Sequence, residues 1–194
     1  EMLAGDEHEY VRSAVAENPN CPVELLEMLA EDSEGNVQSN VARNPSCPIA
    51  LLEKWTAHGD LFLAVAENPS CPAALLEQLA AERGGWDRCE IARNPNCPVE
   101  LLEKLAEDEG ANQYVRQCAA LNPNCPVELL EKLAADSSSY VRNAVAGNPN
   151  WRTELTARIP KELKEDKERR LSYEVFESRR RPVHLPSDEF GYRK

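Results

Sequence analysis

The segment Asn94-Pro95-Asn96-Cys97-Pro98-Val99-Glu100-Leu101-Leu102-Glu103-Lys104-Leu105-Ala106 holds a helix stop, a helix start and one amphipathic helix. The residue before a proline is pushed out of the right-handed helical region, so Asn94 ends whatever helix precedes it. The Asn94 side chain is suited to closing the turn on nearby backbone. Pro98 fits a first helical position, where no N–H is needed and φ is already set. That reading makes Cys97 the N-cap and Glu100 the third helical residue, a carboxylate facing the positive helix end and bonding back to the cap. Leu101, Leu102 and Leu105 then share one face, with Glu100 and Glu103 turned to water.

The same turn recurs. Asn-Pro pairs stand at Asn18-Pro19, Asn44-Pro45, Asn68-Pro69, Asn94-Pro95, Asn122-Pro123 and Asn148-Pro149, with spacings of 26, 24, 26, 28 and 26 residues. A near-constant period of this size is the mark of a tandem-repeat architecture. The length changes fall in Gly/Ser/Asp-rich joints such as Glu109-Gly110-Ala111-Asn112, where insertions cost little. Ahead of each turn lies a short piece of the form Val-Arg-x-x-Val-Ala, as in Val11 to Ala16 and Val141 to Ala146, with its valines four apart on one helical face. That piece is too short to be a helix alone and must lean on neighbours. After the turn comes the leucine helix, for which Leu25, Leu26 and Leu29 form the expected buried stripe of the first copy. One such hairpin cannot bury its own apolar face, whereas three or more stacked copies can. The expected class is all-α, with units starting near residues 11, 37, 61, 87, 115 and 141 after a partial unit at 1–10.

The ends depart from the pattern. Glu1-Met2-Leu3-Ala4 matches Glu27-Met28-Leu29-Ala30, so the sequence opens in the middle of a unit and reads as a fragment of a longer protein. In the sixth copy Trp151 replaces the cysteine and Arg152 the proline, the kind of change expected where one face no longer meets a neighbour. The repeat region is thus 1–159. A charged capping helix is expected at 160–181, with Ile159, Leu163, Leu171, Val175 and Phe176 available to cover the last repeat. An irregular tail follows at 182–194.

Charge bounds the partners. Residues 1–151 hold 10 Lys/Arg against 25 Asp/Glu, a net −15, while residues 152–194 hold 12 against 9, a net +3. A phosphate backbone is bound through neutralising cations, so an array this acidic is a poor nucleic-acid platform. No apolar run approaches the roughly 18 residues needed to span a bilayer. Five of the seven cysteines (Cys21, Cys47, Cys71, Cys97, Cys125) recur at one repeat position. Stacked units sit roughly 10 Å apart, beyond the about 7 Å within which disulfide Cα atoms must approach. This ladder therefore suits a reducing cytoplasm.

The pattern Val-Arg-x-x-Val-Ala-x-Asn-Pro-x-Cys-Pro-x-x-Leu-Leu-x-x-Leu-Ala resembles the leucine-rich repeat variant family, in register six times over residues 1 to about 159. The resemblance implies a right-handed solenoid alternating α-helices with 3₁₀-helices and lacking a β-sheet. A member of that family carries an iron–sulfur module before its repeats. No closely spaced cysteine cluster here matches such a module, so a corresponding one would have to precede Glu1.

Several residue sets are candidates for chemistry. The cysteine ladder does not converge on a point, as zinc or a cluster requires, and reads as small apolar groups between turns. Proximity to a helix N-terminus would lower those thiol pKa values and give mild reactivity where exposed. Cys89 and Cys118 lie in short first helices, aligned with Ser13 and Ala14; with His8, His58 and His184 scattered, they complete no metal site. Arg12, Arg88, Arg116 and Arg142, interrupted by Gln38 and Phe62, form either a stripe for an acidic peptide or phosphate, or ion pairs with joint acids such as Asp32, Asp108 and Asp136. Glutamates 24, 27, 53, 77, 100, 103, 128 and 131 make an acidic face, solvated or docking a basic partner. Arg179-Arg180-Arg181 is a short basic run. The irregular positions Gln38, Phe62, Trp55, Trp86 and the tail are where specificity is expected.

No nucleophile–base pair, phosphate loop or zinc-protease motif occurs in the sequence. The expected function is a non-enzymatic, cofactor-free scaffold binding a protein or peptide. An accessory region of an iron–sulfur or redox protein is the alternative, and nucleic-acid binding is disfavoured by charge.

Overall fold

The computed structural model describes residues 2–82, 84–107 and 112–158, with side chains to residue 153. One compact unit covers Glu1–Thr153 and a second covers Glu154–Lys194. The capping helix and tail expected at 160–181 and 182–194 lie outside the described residues.

Among the described residues the protein is helical throughout, with no strand. After a 3₁₀ turn at Met2–Gly5, each repeat is a pair of α-helices. The first helices are α1 (Glu9–Glu17), α3 (Gly35–Arg43), α5 (Phe62–Glu67), α7 (Asp87–Arg93), α9 (Gln113–Leu121) and α11 (Ser139–Gly147). The second helices are α2 (Val23–Leu29), α4 (Ile49–His58), α6 (Ala73–Glu82), α8 (Val99–Glu107) and α10 (Val127–Leu133), and α12 spans Pro149–Arg158. The implied alternation with 3₁₀-helices is not what forms. The short first pieces are α-helical, and among the described residues 3₁₀ geometry is confined to Met2–Gly5.

First helices stack directly, α1 on α3, α3 on α5 and so on to α11, and each of α2, α4, α6, α8 and α10 packs on the first helix that follows it. Their buried faces merge into one continuous core. Val37, Val41, Ala42, Val65, Ile91, Ala119, Ala120 and Val141 supply the first-helix side, and Leu26, Leu52, Leu76, Leu102 and Leu130 the second. Leu25 is half-buried at the core margin, so the stripe of the first repeat is carried by Leu26 and Leu29.

The turn differs from its expected capping in one respect. Pro22 (φ −59°, ψ 145°), Pro48 (φ −57°, ψ 134°) and Pro126 (φ −69°, ψ 153°) are themselves the N-cap residues, extended in ψ, and the cysteine stands one residue outside. The cause is where the cysteine N–H goes. Cys21 N–H donates to the Asn18 carbonyl at 2.9 Å, and Cys47, Cys71, Cys97 and Cys125 repeat the bond to their own Asn. This closes a β-turn with proline at its second position and holds the cysteine off the helix axis. Glu24 and Glu128 therefore occupy the second helical position, and neither α2 nor α10 has a side-chain cap bond.

The asparagine does more than end a helix. Asn94 Oδ1 accepts the Asn96 N–H at 2.8 Å, while its Nδ2 donates to the carbonyls of Ala66 at 2.6 Å and Asn68 at 2.8 Å in the preceding repeat. Asn44, Asn68, Asn122 and Asn148 do the same to Ala16/Asn18, Ala42/Asn44, Ala92/Asn94 and Ala120/Asn122. The need for this ladder follows from the proline. Ala66 is three residues before Pro69, which has no N–H, and four before Ser70, whose N–H is taken by Asn68 Oδ1. The local chain leaves the Ala66 carbonyl without a donor, and the next repeat supplies one. Residues after the prolines add a parallel set: Asn96, Asn124 and Asn150 Nδ2 donate to the carbonyls of Pro69, Pro95 and Pro123. At the last turn the Ala146 carbonyl receives Arg152 Nε at 3.1 Å. The apparent decay of Cys-Pro to Trp151-Arg152 thus provides a donor where the asparagine ladder ends.

The 24-residue spacing is absorbed at one joint. Gly59 (φ 73°) and Leu61 (φ 49°) both take left-handed backbone, with Gly59 N–H bonded to Thr56 O and Asp60 N–H to Trp55 O, the closing pattern of a Schellman turn. A leucine at positive φ is a strained residue held by its surroundings.

Candidate interaction surface

The residue just before the Val11-equivalent position is aromatic in four repeats: Tyr10, Trp86, Tyr114 and Tyr140. Because identical positions in stacked repeats line one edge, these side chains lie along the N-terminal ends of the first helices. All four are exposed, Trp86 by 62% and Tyr140 by 61%. Trp86 and Tyr114 stack across adjacent repeats, with centroids 4.0 Å apart and planes at 30°. Trp86 follows Gly85, whose positive φ of 63° turns the chain into α7. The tyrosines were not singled out by the sequence; their shared register is the signal that would have found them.

Other sequence candidates sort differently. Trp55 and Phe62 are core residues, 6% and 7% exposed, and present no surface to a partner. Phe62 takes the arginine position in the shortened repeat, where its ring is buried in the core. Arg12 Nε and Nη2 grip Asp32 at 2.6 and 3.0 Å, and Arg116 grips Asp136 at 2.6 and 3.1 Å, so two members of the stripe are ion-paired to joint acids. Arg142 donates to the carbonyls of Asp136 and Ser137, as Arg12 does to Asp6 and Glu7, and Arg88 to that of Ala80. Gln38 Nε2 donates to the Asp32 carbonyl at 2.7 Å, the same six-residue step used by Arg12 and Arg142. These side chains organise joints. Asp108 falls outside the described residues.

The carboxylates respond. Asp32 and Asp136 are held below the usual value of 3.8 by the hydrogen bonds from Arg12 and Arg116, against the opposing pull of burial. Since the folded state holds these protons less tightly than the unfolded chain, the pairs stabilise fully above pH ~3.8 and lose their contribution as pH falls through the lowered values. In urea titrations the double variant Asp32→Asn/Asp136→Asn is expected to be less stable at neutral pH. It should also lose less stability than the parent between pH ~4 and ~2. Parallel pH profiles would show that the pairs contribute nothing.

The ladder cysteines are buried. Burial pushes the Cys47, Cys97 and Cys125 thiols up to about 12 and Cys71 to about 11, and raises Cys21 as well. The net direction is opposite to the lowering expected from a helix N-terminus, because loss of water is the dominant effect at each of these thiols. Among the described residues no group of three or more His, Cys, Asp or Glu is placed to hold a metal.

Grooves open between second helices. The one between α6 and α8 has a volume of about 540 Å³, floored by Ala80, Leu101 and Leu105 and edged by Glu77, Arg88 and Lys104. No helix among the described residues is long and apolar enough to cross a membrane.

Hairpins stacked through a shared core and an asparagine ladder define a helical tandem-repeat protein. The leucine rich repeat variant family model matches residues 11–34, the first complete repeat, and the later repeats carry the same Asn-Pro turn. Comparison with curated proteins finds no match, and comparison with solved structures finds none.

Proposed function

We propose that the array is a non-catalytic protein–protein interaction scaffold whose partner lies along the aromatic row Trp86, Tyr114 and Tyr140. The observation that carries this reading is the exposed Trp86–Tyr114 stack. An indole left mostly in water, yet fixed against a second ring, is a preorganised apolar platform, and Trp and Tyr dominate binding hot spots. The partner is a basic peptide or protein segment: the repeats carry net −15, and cations bind well over aromatic faces. Nucleic acid is disfavoured by the same charge. The reading includes a right-handed winding of ~26-residue units, a cytoplasmic setting consistent with the thiol-rich composition, and no cofactor in this part of the chain.

The test compares proteins retained by the immobilised parent chain and by the variant Trp86→Ser/Tyr140→Ser. Loss of one hot-spot aromatic costs about 2 kcal/mol or more, roughly thirtyfold in affinity. A partner captured by the parent should therefore vanish from the variant eluate, and should be weakened by added salt. Retention of the same proteins at equal yield by both chains would refute the aromatic row as the contact surface.

A further inference from the structure

Cys89 and Cys118 stand apart from the five ladder cysteines. They occupy the first helices α7 and α9 of adjacent repeats, at positions equivalent to Ser13 in one repeat and Asn40 in the next. That pair of positions touches: Asn40 Nδ2 donates to Ser13 Oγ at 2.8 Å across α1 and α3. The same register sets Cys89 beside Cys118 where α7 stacks on α9. A cation completes the group, since Arg93 Nη2 donates to Cys118 Sγ at 3.6 Å while its Nη1 pairs with Glu90 at 3.7 Å. Both cysteines are 5% exposed, but the Arg93 side chain is 58% exposed, so the sulfurs lie at the inner end of a side chain that reaches water.

We propose that Cys89 and Cys118 form a peroxide-responsive dithiol that closes to a disulfide stapling the fourth repeat to the fifth. Cys118 is the sulfur that meets the guanidinium, so a cation lies against it as negative charge develops there during attack. The reaction needs a hydroperoxide as oxidant, and hydrogen peroxide is small enough to reach a nearly buried sulfur. The Cys118 thiolate attacks one peroxide oxygen and the O–O bond breaks. The departing hydroxide takes the proton that Cys118 gave up and leaves as water, and Cys118 becomes a sulfenic acid. The Cys89 sulfur then attacks the sulfenic sulfur. The S–O bond breaks as the S–S bond forms, and the hydroxide leaves with the Cys89 proton as a second water. Two thiols are oxidised and one peroxide is reduced to two waters. Cys89 takes the second role because Arg93 donates to Cys118 and not to Cys89, while burial, and after it the neighbouring Cys118, raise the Cys89 pKa. The ladder cysteines have no such neighbour: each lies against its own proline carbonyl at best, as Cys97 Sγ does at 3.8 Å.

The test exposes the reduced chain to hydrogen peroxide, alkylates remaining thiols under denaturing conditions, and maps unreduced peptides by mass spectrometry. The expected result is one cross-link, Cys89 to Cys118, reversed by dithiothreitol, with all five ladder cysteines alkylated. Cys89→Ser should instead leave Cys118 as a sulfenic acid, read as one added oxygen; Cys89→Ala serves if the serine variant does not fold. Arg93→Gln, a change at an exposed side chain, should keep the helical circular dichroism and slow cross-linking about tenfold, as expected when the cation against the reacting sulfur is lost. Both cysteines alkylated after peroxide treatment, cross-links spread over the ladder cysteines, or an unchanged rate in Arg93→Gln would overturn the assignment.

Discussion

Asn122→Ala is expected to cost about 3–6 kcal/mol, more than any surface substitution in the chain. Three hydrogen bonds disappear: one to the Asn124 N–H and two to the carbonyls of Ala92 and Asn94. Each is worth ~1 kcal/mol, and a buried group left without a partner adds a further 1–3 kcal/mol. The Ala92 carbonyl is such a group, because Pro95 has no N–H and the Asn96 N–H is held by Asn94 Oδ1. The Asn94 carbonyl loses less, since it keeps the Cys97 N–H at 3.0 Å. Asn18→Ala is the internal control. Asn18 is exposed, and its Oδ1 accepts the Asn20 N–H, so only a local turn bond is removed, at ~1 kcal/mol. Urea denaturation of the two variants separates the accounts. Similar midpoints would show that the asparagine is a turn former and that the ladder adds nothing.

The comparison of those two residues shows what a sequence conveys. Asn18 and Asn122 sit in the same motif, and the helix stop, helix start and leucine face could be read from either. The bonds that distinguish them run to residues 28 and 30 positions back, and no local propensity encodes a partner in a neighbouring turn. The cap assignment failed for a related reason: Pro22 satisfies the rules for a first helical residue, but the Cys21 N–H is already committed to closing the turn at Asn18. Trp55 and Trp86 were both irregular residues in sequence. Trp55 lies on the buried face of α4, whereas Trp86 precedes α7, where the chain turns through Gly85, and its indole faces water. Only the register shared with Tyr10, Tyr114 and Tyr140 separates a surface row from a core ring. Cys89 and Cys118 met by the same logic, through a one-residue offset between adjacent repeats that becomes visible once α7 is stacked on α9.

Leu102→Ala tests the stacking itself. Leu102 is fully buried in α8, and truncating such a leucine removes its transfer free energy and leaves a cavity, about 2–5 kcal/mol in all. For a chain of this size that lowers the melting temperature by roughly 5–20 °C. The fourth repeat has neighbours on both sides, and in a one-dimensional array each repeat is stabilised only by those it touches. Weakening it therefore destabilises the repeats before and after together. Leu26→Ala removes an equally buried leucine from the first complete repeat, which in the 194-residue chain is preceded by the Met2–Gly5 turn rather than by a full helix pair. The side-chain loss is the same, but this 194-residue chain can fray at that side and keep the remainder stacked. Differential scanning calorimetry should show one transition shifted downward as a whole for Leu102→Ala, and a broadened transition with an early shoulder for Leu26→Ala. Glu100→Ala, at an exposed position of the same helix, should stay within about 0.5 kcal/mol of the parent. Identical melting profiles for the two leucine variants would mean that the array unfolds as a single cooperative block, with no weaker edge.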